Sequence, residues 1–174
     1  MGKCISKRKT VGGDMSKQLI NVYGRTVDIS TPGGRVAHQI LRQCELMDQA
    51  GAFINTSNNL ETVLRNIPIY EKSLLYLASC SDHNLKALHL KSSHQLRSMY
   101  DNWIKQKPGA INSGIKRATL AAVEHAKTLK TDKGKIKSLY SFVDKSLALP
   151  GLFPENIQAL NSIKQAMDNK NKGV

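Results

Sequence analysis

The sequence has few aromatic and few acidic residues. Aromatic residues make up only 5% of its 174 residues, with a single Trp, and 13 Asp and Glu stand against 26 Lys and Arg. The scarcity of aromatic rings argues against a protein that stacks nucleic-acid bases. The excess of basic residues gives a formal net charge of +13, which indicates an anionic partner: a membrane, a nucleic acid or an acidic protein.

Long apolar runs and nucleotide-binding loops are also missing. No segment approaches the roughly 20 apolar residues of a membrane-spanning helix, and no secretory signal follows the start. No GxxxxGK[ST], GxGxxG or GxSxG pattern occurs, and the singly scattered acidic residues disfavour a two-carboxylate hydrolase. We therefore expect no catalytic residues and no cofactor, and the sequence favours a non-enzymatic protein.

Cysteines and histidines do not form a recognisable site. The three cysteines, Cys4, Cys44 and Cys80, are odd in number and widely spaced, so neither a metal site nor a disulfide framework is expected. Cys44 and Cys80 fall in apolar helical patterns and are predicted to be buried structural thiols, with a Cys–His nucleophile as the alternative. The five histidines include no HExxH pattern.

Hydrophobic periodicity predicts an all-α protein, a compact bundle of six or seven helices. We expect a flexible lipid-anchor tail over 1–34, the helical bundle domain over 35–168 and a frayed carboxy terminus over 169–174. Residues 18–29 have a composition typical of β-strands, so a short strand pair or an extended segment is possible within the tail.

Glycine, proline and capping residues predict the ends of the helices. The first helix is expected to stop at Gly51, and a short helix is expected to begin at Asn58 and end at Pro68. The other expected boundaries are a long helix from Ser81 or Asp82 to Pro108–Gly109, a helix from Ser113, a helix from Thr131 or Asp132 that ends near Pro150–Gly151, and a last helix from Pro154.

The amino terminus carries the most specific motif, MGKCISKRK. It fits the N-myristoylation pattern, in which Met1 is removed, Gly2 is acylated and Ser6 supplies a small hydroxyl group. Cys4 lies close enough to the inserted acyl chain for S-palmitoylation, which would give the second signal that stable anchoring requires. Attraction to an anionic inner leaflet is expected from Lys3, Lys7, Arg8 and Lys9.

This start resembles the amino termini of dually anchored peripheral membrane proteins: Src-family kinases, G-protein α subunits and acylated type III effectors of bacterial pathogens. The resemblance covers nine residues and implies an anchor, not a fold. It implies an adaptor or effector that acts on a partner protein at the cytoplasmic face of the plasma membrane, in a host cell if the source is a pathogen. A viral matrix-type protein is one alternative, because retroviral matrix domains are also small, basic, helical and often myristoylated. A nucleic-acid-binding protein is a further alternative.

A run of lysines forms a candidate basic surface: Lys127, Lys130, Lys133, Lys135 and Lys137. The 72 residues from Trp103 onward carry a net charge of +8. Three interpretations are open, namely a solvated face, a surface for anionic lipid headgroups and, third, a surface for nucleic acid.

The small-residue segment 107–114 is predicted to be a loop between two helices. It is loosely similar to a loop in the all-α bacterial guanine-nucleotide exchange factors of the SopE type, where a Gly- and Ala-rich loop wedges into a Rho-family GTPase. The resemblance implies a partner loop that contains Gly109, Ala110 and Asn112. The alternative is an ordinary turn between helices.

Overall fold

The computed structural model describes residues 16–172, with side chains described through Asn169. It contains a two-stranded hairpin followed by six helices, which confirms the predicted all-α bundle and the strand pair near 18–29. The elements are β1 Leu19–Val22, β2 Arg25–Asp28, α1 Pro32–Thr56, α2 Leu60–Ser79, α3 Asp82–Ala87, α4 Ser93–Lys127, α5 Asp132–Leu147 and α6 Pro154–Lys172.

The hairpin is antiparallel and closes through a two-residue turn. Tyr23 and Gly24 both have positive φ angles, 51° and 69°, which suits the right-handed twist of the flanking strands. Val22 is buried against the helices, whereas Leu19 is 62% exposed. The Arg25 guanidinium donates a hydrogen bond of 2.7 Å to the Leu88 carbonyl after α3. The hairpin therefore belongs to the folded body, in part of the range 1–34 that was expected to be tail.

The first helix begins earlier and ends later than predicted. Thr31 caps α1 by accepting a hydrogen bond from the Gly34 amide, and Pro32 occupies the first turn, where a missing amide costs little. The expected stop at Gly51 is wrong. The helix continues because Ala50 and Ile54 keep one face buried, and the space beside Gly51 is taken by the ring of Tyr70 from α2.

Two prolines lie inside helices, so the breaks predicted at Pro68 and at Pro108–Gly109 are wrong. Proline inside a helix removes one hydrogen bond and costs about 3 kcal/mol. In α2 that cost is offset by side chains buried on both sides of Pro68, such as Ile67 and Leu74. In α4, Leu96 and Ile111 do the same around Pro108. Ser113 is likewise inside α4 and caps nothing.

The predicted caps are partly correct. Asn59, one residue after Asn58, caps α2 by accepting from the Thr62 amide. Ser81 caps a helix as expected, but that helix is the short α3. A new helix begins after Ser92, whose side chain forms a capping box with Gln95.

Near the carboxy terminus the predicted starts are correct and the ends differ. Thr131 caps α5, and Pro154 opens α6 as predicted. The last turn of α5 ends at Leu147, before Pro150–Gly151, and α6 extends to Lys172, beyond the boundary expected at 168.

Two groups of buried side chains hold the helices together. The first joins α1, α2, α3 and the start of α4 near the hairpin; its members are Ile40, Cys44, Leu74, Leu77, Leu85 and Leu96. The second joins the end of α1, the start of α2, the middle of α4 and α6; its members are Ile54, Leu60, Val63, Ile67, Ile111, Ile115, Ala118 and Leu160. Since α4 contributes to both groups, it is the central element of the fold.

Candidate functional site

The acylation residues lie outside the described residues. They are Gly2, Cys4 and Ser6 with the basic side chains of Lys3, Lys7, Arg8 and Lys9. The described chain begins at Ser16, just before the hairpin, where Lys17 and Leu19 are exposed. The amino-terminal segment is therefore joined to the body at the hairpin.

The five lysines of the predicted basic surface are brought together where α4 ends and α5 begins. Lys127 closes α4, Lys130 lies in the connection, and Lys133, Lys135 and Lys137 follow in the first two turns of α5. Two of them have acidic neighbours, since Lys127 pairs with Glu124 at 2.6 Å and Lys135 with Asp132 at 2.9 Å. The other three are exposed and have no ion pair within residues 16–169.

The basic surface and the hairpin lie at opposite ends of α4. The helix has 35 residues, which corresponds to a length of about 50 Å. Tyr23 of the hairpin lines a small cavity with Leu96 and Met99, close to the first residue of α4. Lys127 is the last residue of the same helix. The basic surface is therefore far from the point where the amino-terminal segment joins the body.

The predicted partner loop is not a loop. Gly109, Ala110 and Asn112 all lie inside α4, because burial of Ile111 and its neighbours carries the helix through the Pro108–Gly109 pair. The Asn112 side-chain oxygen accepts a hydrogen bond of 2.8 Å from the buried Asn156 of α6. The feature on which the resemblance to exchange factors depended is absent, and Asn112 has a structural role.

The helical course of this segment predicts a gain in stability when Gly109 is replaced. A side chain added at Gly109 meets nothing within 4 Å, and glycine inside a helix is about 1 kcal/mol less favourable than alanine. We expect Gly109→Ala to raise the free energy of unfolding by about 0.5–1 kcal/mol in urea titration. The control is Gly114→Ala, where the new methyl group would lie 3.2 Å from the Val63 side chain. A loss of stability at Gly109 would contradict the helical assignment.

A groove between α2, α4 and the α5–α6 connection is the feature that the sequence did not predict. We call it the α2–α4 groove; it has a volume of about 670 Å³. Its apolar lining consists of Leu64, Ile67, Pro68, Ile111, Leu149, Pro150, Leu152 and Phe153. Four charged residues, Glu61, Arg65, Glu71 and Lys107, complete the lining. The groove was missed because both helices that form it were predicted to break at prolines.

A half-buried polar cluster closes one end of the α2–α4 groove. One carboxylate oxygen of Glu71 accepts hydrogen bonds from the Trp103 indole at 3.0 Å and from the Lys107 ammonium group at 2.7 Å. The side chains of Glu71 and Lys107 are each 19% exposed, and Lys107 also lies 5.4 Å from the centre of the Phe153 ring. The Trp103 ring packs on Tyr70 at 4.9 Å between ring centres. The cluster fixes three elements around the groove.

The cysteines of the body are placed as structural residues. Cys44 is buried, and this burial raises the pKa of its thiol to about 11. Cys80 follows α2 and is only partly buried, so the prediction of full burial is wrong for it; burial still raises its pKa. Neither thiol is activated as a nucleophile. Within residues 16–169, no three His, Cys, Asp or Glu side chains are grouped so that they could hold a metal ion.

Comparison with protein-family models, with curated proteins and with solved structures found no match for this chain. Between residues 16 and 172, no helix is both long and apolar enough to cross a membrane.

Proposed function

We propose that the protein is a lipid-anchored peripheral membrane adaptor or effector. In this proposal Gly2 is myristoylated, Cys4 is palmitoylated, and the helical body acts on a partner protein at the cytoplasmic face of the plasma membrane. The observation that carries the proposal is the combination of Gly2, Cys4 and Ser6 with four basic residues inside the first nine positions.

The energetics require this combination of signals. One myristoyl chain gives only marginal, reversible membrane binding, so a second acyl chain or a basic segment is needed. Each basic residue close to an anionic leaflet contributes about 1 kcal/mol, which weakens as the salt concentration rises. The segment supplies both kinds of second signal within a few residues of Gly2.

The arrangement of the body supports separate roles for its two ends. The segment with the acylation motif joins the body at the hairpin, where exposed Leu19 and Lys17 can face the membrane surface. The basic surface lies about 50 Å away along α4. We propose that its unpaired lysines, Lys130, Lys133 and Lys137, contact an acidic face of the partner protein.

Replacing Gly2 tests the proposal. We expect Gly2→Ala to abolish acylation and to move most of the full-length protein from the membrane fraction to the soluble fraction of eukaryotic cells, since the palmitoylation of Cys4 depends on prior membrane contact. Intact mass of the wild-type protein should show loss of Met1 and gain of one or two acyl groups. Gly12→Ala is the matched control and should leave both readouts unchanged.

Three results would contradict the proposal. Retention of the Gly2→Ala variant on membranes would remove its basis. Ordered self-assembly of the protein on anionic vesicles would favour a matrix-type structural role. Binding to duplex DNA or RNA that weakens steeply with salt would favour a nucleic-acid-binding protein.

A further inference from the structure

The α2–α4 groove has the chemistry of a site for a hydrocarbon chain. Eight of its lining residues are apolar, and they come from α2, α4 and the α5–α6 connection. Its volume of about 670 Å³ is typical of small-molecule sites in proteins. A ligand in the groove would be surrounded by apolar side chains from three elements.

The polar groups of the groove are already satisfied. Glu71 accepts hydrogen bonds from Trp103 and Lys107, and no buried side-chain polar atom in the described residues lacks a partner. Glu61 and Arg65, exposed at the rim, carry opposite charges. A peptide would bring backbone amides and carbonyls that find no side-chain partners there, whereas a hydrocarbon brings none.

We propose that the myristoyl group on Gly2 of the same chain occupies the α2–α4 groove when the protein is away from a membrane. The inference rests on the proposed acylation of Gly2. It adds a regulatory step to that function, because an acyl chain in the groove is withheld from the bilayer. Membrane binding then requires the chain to leave the groove.

The chain before the hairpin is long enough for this contact. Fifteen residues precede Ser16, and an extended chain of that length spans at most about 50 Å. The hairpin begins beside the start of α1 and reaches Asp48, which accepts a hydrogen bond from Tyr23, about 21 Å further along α1 from Gly34. One turn later, Gly51 packs beside Tyr70, the neighbour of Glu71 in the groove.

Trp103 provides a direct readout of the groove. It is the only tryptophan of the chain, and its indole donates to Glu71 of the groove lining. We expect sodium myristate to produce a saturable change in Trp103 fluorescence with the unacylated full-length chain, and no change with the chain myristoylated at Gly2. The absence of a saturable change, or equal changes in both forms, would overturn the inference.

Variants on two different elements locate the site. Leu64→Gln in α2 and Leu152→Gln in the α5–α6 connection should each weaken myristate binding by about tenfold. Both should also raise the membrane-bound fraction of the myristoylated protein on vesicles. Leu120→Gln is the control, because Leu120 is 58% exposed on α4 and does not line the groove. Equal behaviour of all three variants would contradict the assignment.

A measurement without substitutions guards against misfolded variants. With an isotope-labelled myristoyl group on Gly2, nuclear Overhauser contacts are expected to the methyl groups of Ile111 and Leu152; contacts elsewhere alone would overturn the inference. An acylated chain that binds membranes but shows no groove contact would overturn this inference and leave the proposed function intact. A chain that carries no acyl group in cells would overturn both.

Discussion

Replacing Asn156 with alanine is expected to lower the free energy of unfolding by about 3 kcal/mol. The Asn156 side chain is fully buried and makes three hydrogen bonds. Its oxygen accepts from the Phe153 amide at 3.0 Å, which caps the start of α6. Its amide group donates to the Pro108 carbonyl at 3.0 Å and to the Asn112 side chain at 2.8 Å.

The expected loss is large because the variant leaves partners buried without hydrogen bonds. In Asn156→Ala the Phe153 amide and the Pro108 carbonyl lose this partner in a dry interior, and a small cavity remains. Asn161→Ala is the matched control, since Asn161 is exposed on the same helix and should change stability by less than about 0.5 kcal/mol. Urea unfolding measures both variants. Equal stability of the two would mean that α6 does not dock on α4 through this residue.

The second large effect is expected at Gly34, where α1 passes under the hairpin. A methyl group built on Gly34 would lie 1.7 Å from the Asp28 carbonyl oxygen and 2.7 Å from its carbonyl carbon. Backbone atoms cannot move aside as a side chain can, so Gly34→Ala must displace β2 from α1. We expect a loss of about 3 kcal/mol in the free energy of unfolding, the upper part of the range for overpacked sites.

The adjacent glycine gives a close control for this variant. A methyl group on Gly33 meets nothing within 4 Å, so Gly33→Ala should be neutral or slightly stabilising in the first turn of α1. Amide hydrogen exchange should show faster exchange in β1 and β2 for Gly34→Ala alone. Equal exchange rates in the two variants would show that the hairpin does not pack on α1 through this contact. The effect bears on function because the hairpin joins the amino-terminal segment to the body.

The sequence by itself determined the features that depend on neighbouring residues. The caps at Ser81 and Thr131, the start at Pro154 and the strand pair within 18–29 were all predicted, because a capping hydrogen bond or a strand alternation is encoded within a few positions. The acylation motif is also local, since a modifying enzyme would read a short linear segment.

Only the tertiary structure decided what happens at Gly51, Pro68 and Pro108. These residues weaken a helix locally, and local reasoning therefore ended a helix at each of them. Side chains far apart in sequence, such as Val63 and Ile115, are buried together, and their burial outweighs the local penalty. The same long-range packing creates the α2–α4 groove and brings Asn112 to Asn156. It also separates the basic surface from the hairpin by the length of α4. The sequence supplied the charges, but the length and packing of one helix assigned them to two different ends of the molecule.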